Sequence, residues 1–425
     1  MINKILRNLK IDKSFASGGI IVFMGTMGVS VLNYLFHLVM GRSLGPENYG
    51  TIVAVISLYG LLSIFLSTTN TVVVKYSSES DISSNSEKIS YLYHKFLNLA
   101  LYFGVIIIII LAICSQKLAL FLNMDAKYII LLGVFLAAGM FASITRGILR
   151  GVKQFSNYAI NIFLEALIKI IVFVIFFLVG LKTIGAVYSL IIASILAYFL
   201  SLIPLKKILG INQTKFKLES IKSIFSSTFF ALLFVSILNF VDVILVKHFF
   251  SAHDAGIYSA LSNIGKIIVY ITFPITIVMF PMISEAHSLN KRHFPLLFQT
   301  VILTISISFL VLAAYYLFPT FIATILYGKE YLEITPYLFL YGFNMFLLSL
   351  ITVFVYYFLS IKKSLFLIFF IIGSALELLL ISYYHTNIST IIMDLTISFS
   401  VILILLILNY IYYKRNKLAQ VLKAI

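Results

Sequence analysis

Charged side chains are scarce in this chain, and six of them fall inside long apolar runs. Asp242 and Lys266 lie in FVDVILVKHFFSAHDAGIYSALSNIGK, residues 240–266. Glu165 and Lys169 lie in NIFLEALIKIIVF. They are four residues apart with the acid first, the favourable order for a pair on one helical face. Asn161 extends that face by one turn. Glu377, in GSALELLLI, and Asp394, in TIIMDLTIS, have no partner nearby in sequence. An ionised group in mid-membrane costs roughly 2.5–3.5 kcal/mol on insertion scales, so each should face water, a partner or a moving ion. For Asp242 and Lys266 two readings stand: an ion pair that locks two helices, or a proton or sodium site (Asp242) beside a cation that meets an anionic substrate (Lys266). For Glu165 and Lys169 the choice is between stapling a helix and lining a cavity.

A second group of basic residues marks the ends of the runs. Arg42 and Lys247 fall near one mouth, and Arg146 and Arg150, in RGILRG, near the other. Cations around a low-dielectric gap focus an anionic headgroup such as a pyrophosphate. The competing reading is that these side chains snorkel to the headgroup level. Pro274 and Pro281, in ITFPITIVMFPMISE, each remove a backbone donor, and a hinge is expected at Pro274.

The elements that must position these residues are membrane helices. Of 425 residues 61% are apolar and 11% charged, against about 25% charged in soluble domains. Mean hydropathy is +1.09. Apolar stretches at roughly 17–40, 50–72, 96–115, 128–147, 156–180, 184–204, 223–247, 255–282, 297–318, 334–359, 364–383 and 391–412 give an all-α polytopic protein with 12 spans. The first stretch, after the basic MINKILRNLKIDK, reads as an uncleaved helix. With the N-terminus inside, 23 of the 31 lysines and arginines fall in cytoplasmic segments and six outside, with Lys169 and Lys266 within spans. Both termini are therefore expected in the cytoplasm. Arg42 runs against this rule, which makes it the more telling of the mouth residues. The net charge of +16 is accounted for by orientation and by anionic membrane lipids, so no nucleic-acid partner is expected. Tyrosine pairs such as Tyr315–Tyr316 and Tyr383–Tyr384 fit an interfacial aromatic belt.

The basic stretch 205–222 divides the chain into a six-helix N-terminal lobe (1–204) and a six-helix C-terminal lobe (223–425). At an offset of 206, residues 32–79 lie over 238–285, with Gly50 on Gly256, Ala54 on Ala260 and Arg42 on His248. Parallel repeats of this kind are related by an axis along the membrane normal. Asp242 lies over Phe36 and Lys266 over Gly60, so both charges are new to the second copy.

Nothing in the sequence has the form of a soluble catalytic site: there is no Walker A loop, no G-x-S-x-G and no metal-ligand array. Cys114 has no disulfide partner, and the seven histidines are scattered. The expectation is a transporter and not an enzyme, without a cofactor.

The stretches MGRSLGPENYGTIVAVISL (40–58) and NFVDVILVKHFFSAHDAGIYSALSNIGKI (239–267) resemble the prokaryotic polysaccharide export proteins. These are oligosaccharide flippases of the multidrug/oligosaccharidyl-lipid/polysaccharide exporter superfamily. The more specific features are Leu44-Gly45-Pro46-Glu47-x-Tyr49-Gly50 and the combination of Asp242 with Ala255-Gly256-x-Tyr258. The resemblance implies a V-shaped bundle of two six-helix lobes in the cell (inner) membrane. It implies alternating-access transfer of a polyprenyl-pyrophosphate-linked glycan to the outer leaflet, with proton or sodium coupling in some members. On that model Arg42, Lys247 and Lys266 meet phosphate or glycan, and Asp242 is a counter-ion or coupling site. The chain is expected to act as a monomer, alongside glycosyltransferases or a glycan polymerase. The rival functions are a cation-coupled multidrug exporter, a flippase for the peptidoglycan lipid precursor and a non-transporting scaffold. A drug exporter would favour a more acidic cavity than these basic mouths provide.

Overall fold

A computed structural model describes residues 13–79, 85–209, 214, 221–289, 291, 293–361, 363 and 365–424. Lys4, Arg7 and Lys10 of the basic N-terminus lie outside the described residues. So do Arg292, Lys362 and most of the 205–222 stretch, including Lys215 and Lys217. Every described element is helical, as the lipid phase requires, because a helix satisfies its own backbone polar groups.

In chain order the helices are α1 (Lys13–Leu62), α2 (Ile64–Ser78), α3 (Ser86–Phe121), α4 (Ala126–Gly151), α5 (Phe155–Leu178) and α6 (Lys182–Leu209). They continue with α7 (Ile221–Phe249), α8 (Ala252–Gly265), α9 (Ile267–Ser288), α10 (Phe294–Leu317) and the short α11 (Pro319–Leu326). After a 3₁₀ turn at Lys329–Ile334 come α12 (Leu338–Ser360), α13 (Phe366–Tyr383) and α14 (Ile388–Ala424). Among the described residues eleven helices are long and apolar enough to cross a bilayer. The sequence-based figure of 12 treats the stretches on either side of Gly45 separately, whereas one helical run, Met24–Leu62, passes through both. That run is broken at Gly45, whose backbone (φ 71, ψ 170) is not helical. Glycine occupies such a conformation without a Cβ penalty, and Pro46 then restarts the helix where a missing N–H costs nothing.

The chain divides into two compact units. Unit 1 comprises Met1–Leu44 and Thr51–Leu233; unit 2 comprises Gly45–Gly50 and Phe234–Ile425. In unit 1, α4 is central and packs against α2, α3 and α6, while α5 packs on α6. In unit 2, α12 is central and packs against α9, α10 and α14, while α13 packs on α14. The same neighbours recur in the same chain order, as an internal duplication would leave them. Small residues permit the close approaches: a Cβ on Gly147 would lie 2.9 Å from the Cβ of Val73, and one on Gly104 3.3 Å from the Cβ of Ala137. The outer faces stay apolar. On α3, Tyr102, Ile106, Ile109 and Ile113 form an exposed stripe at helical spacing, suited to lipid.

Pro274 and Pro281 both lie inside the helical run of α9. The boundary between helices falls instead at Lys266, eight residues before Pro274. Lys266 itself keeps helical backbone angles (φ -62, ψ -11).

Candidate functional site

In unit 1 the part-buried charges gather around Arg146, on α4. Its Nε donates to Asn161 Oδ1 at 2.7 Å and its Nη2 to Glu165 Oε2 at 2.7 Å. Ser194 Oγ on α6 donates to the other carboxylate oxygen of Glu165 at 2.8 Å, and Asn161 Nδ2 donates to the carbonyl of Ala197 at 2.7 Å. Both oxygens of Glu165 therefore have partners. The i,i+4 pairing expected from sequence is corrected here: the ion-pair partner of Glu165 is Arg146, from the neighbouring helix. A guanidinium offers a planar fork of donors, which suits a carboxylate and an amide together better than a lysine ammonium does. Lys169 turns elsewhere, donating to Asn33 Oδ1 on α1 and standing 4.7 Å from the ring centroid of Phe36. Arg150 Nη1 donates to Asn70 Oδ1 at 3.1 Å and packs over Tyr158.

Unit 2 is built differently. Asp242 on α7 is 2% exposed. Its Oδ2 accepts hydrogen bonds from Tyr258 and from Tyr341, each at 2.9 Å. The Tyr341 hydroxyl also lies 2.8 Å from Ser262 Oγ. Asp242 Oδ1 has no hydrogen-bond partner. Lys266 does not form the direct ion pair that the sequence suggested. Its Nζ donates to the carbonyl of Asn239 at 2.8 Å and lies over the ring of Phe240. One turn of α7 thus receives the lysine on its backbone, just before the aspartate. The charges of Asp242 and Glu377 still act on Lys266 through space. Glu377 on α13 is 0% exposed, and neither of its carboxylate oxygens has a hydrogen-bond partner. Asp394 on α14 is also buried and leaves Oδ2 without one. Among the described residues no group of three or more His, Cys, Asp or Glu could hold a metal ion.

The remaining cations of the sequence analysis belong to different units. Arg42 is exposed in unit 1, while Lys247 is buried in unit 2. The carboxylate that acts on Lys247 is that of Glu47, in the Gly45–Gly50 segment that unit 2 incorporates. A Cβ on Gly256 would lie 2.0 Å from the carbonyl oxygen of Pro46, and one on Gly50 2.8 Å from the nitrogen of Gly256. Backbone meets backbone at this point, which glycine alone allows. The Tyr49 hydroxyl lies 2.9 Å from that of Tyr327, which accepts from Asn263 Nδ2 at 2.6 Å. The Tyr49 ring also packs edge-on against Tyr331. Burial, then Tyr327 and Glu330, push the Tyr331 hydroxyl well above its ordinary range, so it stays neutral.

Sequence reasoning missed Tyr341 and Asn33, because tyrosines read as interfacial belt and a lone asparagine carries no pattern. Tyr258 did leave a signal, since it belongs to the Ala-Gly-x-Tyr stretch quoted with Asp242.

A family model described as polysaccharide biosynthesis protein matches residues 15–287. No curated relative matches the chain. Among solved structures, the chain is similar to a multidrug resistance MATE family transporter of the MOP superfamily in an inward-facing conformation. That match has 14% identity and a TM-score of 0.75, covering 91% of this chain and 96% of the other. It is also similar to the lipid II flippase MurJ in an inward closed conformation, with 15% identity and a TM-score of 0.72 over 92% and 87% of the two chains. A MOP superfamily transporter from Pyrococcus furiosus gives 16% identity and a TM-score of 0.65 over 94% and 95%. At these identities the likeness establishes the fold.

Proposed function

The chain belongs to the polysaccharide biosynthesis protein family, multi-pass membrane proteins that transport and do not catalyse, and from that premise we propose that it is a flippase. Its cargo is a polyprenyl-pyrophosphate-linked oligosaccharide, moved by alternating access from the cytoplasmic to the outer leaflet for surface polysaccharide synthesis. In this reading the protein has 12 spans in two six-helix lobes, with both termini in the cytoplasm. The physical need is plain: a hydroxyl-rich glycan on a charged phosphate cannot cross about 30 Å of hydrocarbon unaided. A hydrated path removes most of that penalty without breaking a covalent bond, so no nucleophile is required.

The observation that carries the reading is the set of unpartnered carboxylate oxygens buried in unit 2, on Asp242, Glu377 and Asp394. A scaffold gains nothing from them, since an ionised carboxylate in a dry site is expensive unless a proton or a cation joins it. Asp242 and Glu377 are assigned to ion coupling, with a proton or sodium ion as the driving species and Lys266 as the tethered competitor. Arg42, Arg150 and Lys247 are assigned to the phosphate and glycan. Arg146 is a positioning residue, because its fork is engaged by Asn161 and Glu165.

The test is reconstitution of the full chain in vesicles containing a fluorescent polyprenyl-pyrophosphate-linked glycan, with protein level monitored throughout. Transfer between leaflets that is lost in Asp242→Asn and Glu377→Gln at normal protein level supports the proposal. Movement of a cationic dye without movement of the glycan would convert the protein into a drug exporter.

A further inference from the structure

The Leu44-Gly45-Pro46-Glu47-x-Tyr49-Gly50 stretch has so far only a family resemblance to explain it, yet Pro46, Tyr49 and Gly50 each make a particular contact in unit 2. Gly45 breaks α1 in a left-handed conformation, so the chain leaves its helical path at this point. The carbonyl of Pro46 and the backbone at Gly50 press on Gly256. Tyr49 is 0% exposed, and its hydroxyl joins those of Tyr327 and the Asn263 amide. Glu47 is exposed on the outside of the segment, whereas Lys247, on which its charge acts, is 2% exposed. A lysine is among the residues least often found fully buried, and the charge that acts on this one belongs to a carboxylate that faces solvent.

We propose that residues 45–50 form a latch over Lys247, and that a phosphate-bearing headgroup competes with Glu47 for the Lys247 ammonium, so that cargo reaching this mouth lifts the latch. The proposal rests on the flippase reading and adds a trigger to it. A phosphate or pyrophosphate suits the exchange because it carries more charge and more acceptor oxygens than one carboxylate. The seat is also suited to release. Part of its contact is backbone against backbone at two glycines; the Tyr49 ring, packed against Tyr327 and Tyr331, is the side chain that must withdraw, and its polar anchor is a short chain of hydroxyls that water can replace.

The experiment uses the full chain in a Cys114→Ser background carrying Ala255→Cys. Ala255 is 2% exposed, and its carbonyl carbon lies 3.1 Å from where a Cβ on Gly50 would stand, so its reactivity toward a maleimide reports whether the latch is seated. Three probes are compared: inorganic pyrophosphate, a short-chain prenyl pyrophosphate and vesicles of phosphatidylglycerol. The expected result is a several-fold faster reaction with prenyl pyrophosphate. A comparable rise with inorganic pyrophosphate assigns recognition to the phosphate alone; no rise with it assigns recognition to the lipid-borne group. In both cases Glu47→Gln should react fast without any probe. Lys247→Met should lose the response, and Lys247→Arg should keep it, which separates loss of the ammonium from misfolding. Tyr49→Phe, which deletes one hydroxyl contact, should raise the unprompted rate by about fivefold. A slow Glu47→Gln, an undiminished response in Lys247→Met, or an equal response to phosphatidylglycerol alone would overturn the latch. If the position-255 thiol ignores every anion while vesicles still translocate glycan, only the latch fails; if the vesicles move no glycan, the flippase reading fails.

Discussion

Unit 1 and unit 2 repeat one packing scheme, yet they treat buried charge in opposite ways. Around Arg146 and Glu165 both carboxylate oxygens and the guanidinium are engaged. Around Asp242, Glu377 and Asp394, four carboxylate oxygens are left without a hydrogen-bond partner. A satisfied network fixes the relative places of α4, α5 and α6 and has little reason to change. An unsatisfied one is sensitive to anything that supplies a proton or a positive charge. One unit thus holds a hydrogen-bonded cluster and the other a cluster with open carboxylate oxygens.

Several substitutions would break or sharpen this contrast, and their expected effects on stability run from large to small. Glu165→Ala strands the Arg146 guanidinium and should cost roughly 3 kcal/mol, the low end for a buried pair because the two side chains keep 16% and 25% exposure, read as a fall in thermal unfolding temperature in detergent. The double substitution Arg146→Met with Glu165→Leu should return most of that stability, because a packed apolar pair replaces an ion pair at little cost. If the double is as unstable as the single, the cluster does more than hold helices together. Next, Gly256→Ala places a methyl 2.0 Å from a backbone oxygen that cannot swing aside and should cost about 3 kcal/mol, with Tyr327 and its neighbours losing protection in hydrogen exchange. Tyr341→Phe removes one donor from the Asp242 carboxylate and should cost roughly 1.5–3 kcal/mol if that carboxylate is ionised. A much smaller loss would mean that Asp242 already carries a proton. Smallest of all in stability, Glu377→Gln should change unfolding by less than about 1 kcal/mol, since it removes a charge without breaking any bond. Its effect belongs to transport, where vesicle translocation should stop. A Glu377→Gln protein that loses stability and keeps translocation would reverse the roles assigned to the two clusters.

The class of the molecule was readable from composition, because hydrocarbon tolerates few charges and the exceptions stand out. Every charged position singled out inside a run is now accounted for by partners or by their lack. Partner choice was not readable. Glu165 sits one turn from Lys169, yet it bonds Arg146, nineteen residues earlier on another helix, because a fork of donors outcompetes a local ammonium. Lys266 reaches a backbone carbonyl near Asp242 instead of the carboxylate itself, a choice that depends on helix rotation and leaves no trace in spacing. Asp242 takes its hydrogen bonds from two phenols, and the many tyrosines at membrane interfaces hide such roles. The 45–50 stretch was legible as a signature, while its seat against Gly256 required the tertiary structure.

The exchange of residues 45–50 into unit 2 also bears on how the molecule is made. Their seat at Gly256 leaves the ribosome about 206 residues later, which at 5–20 residues per second is a wait of roughly 10–40 s. During that interval a tight glycine-proline bend carrying an acid and an aromatic ring stands undocked beside the translocation machinery. A nascent chain arrested before residue 256 should therefore leave the Tyr49 ring, 0% exposed in the finished protein, open to chemical labelling.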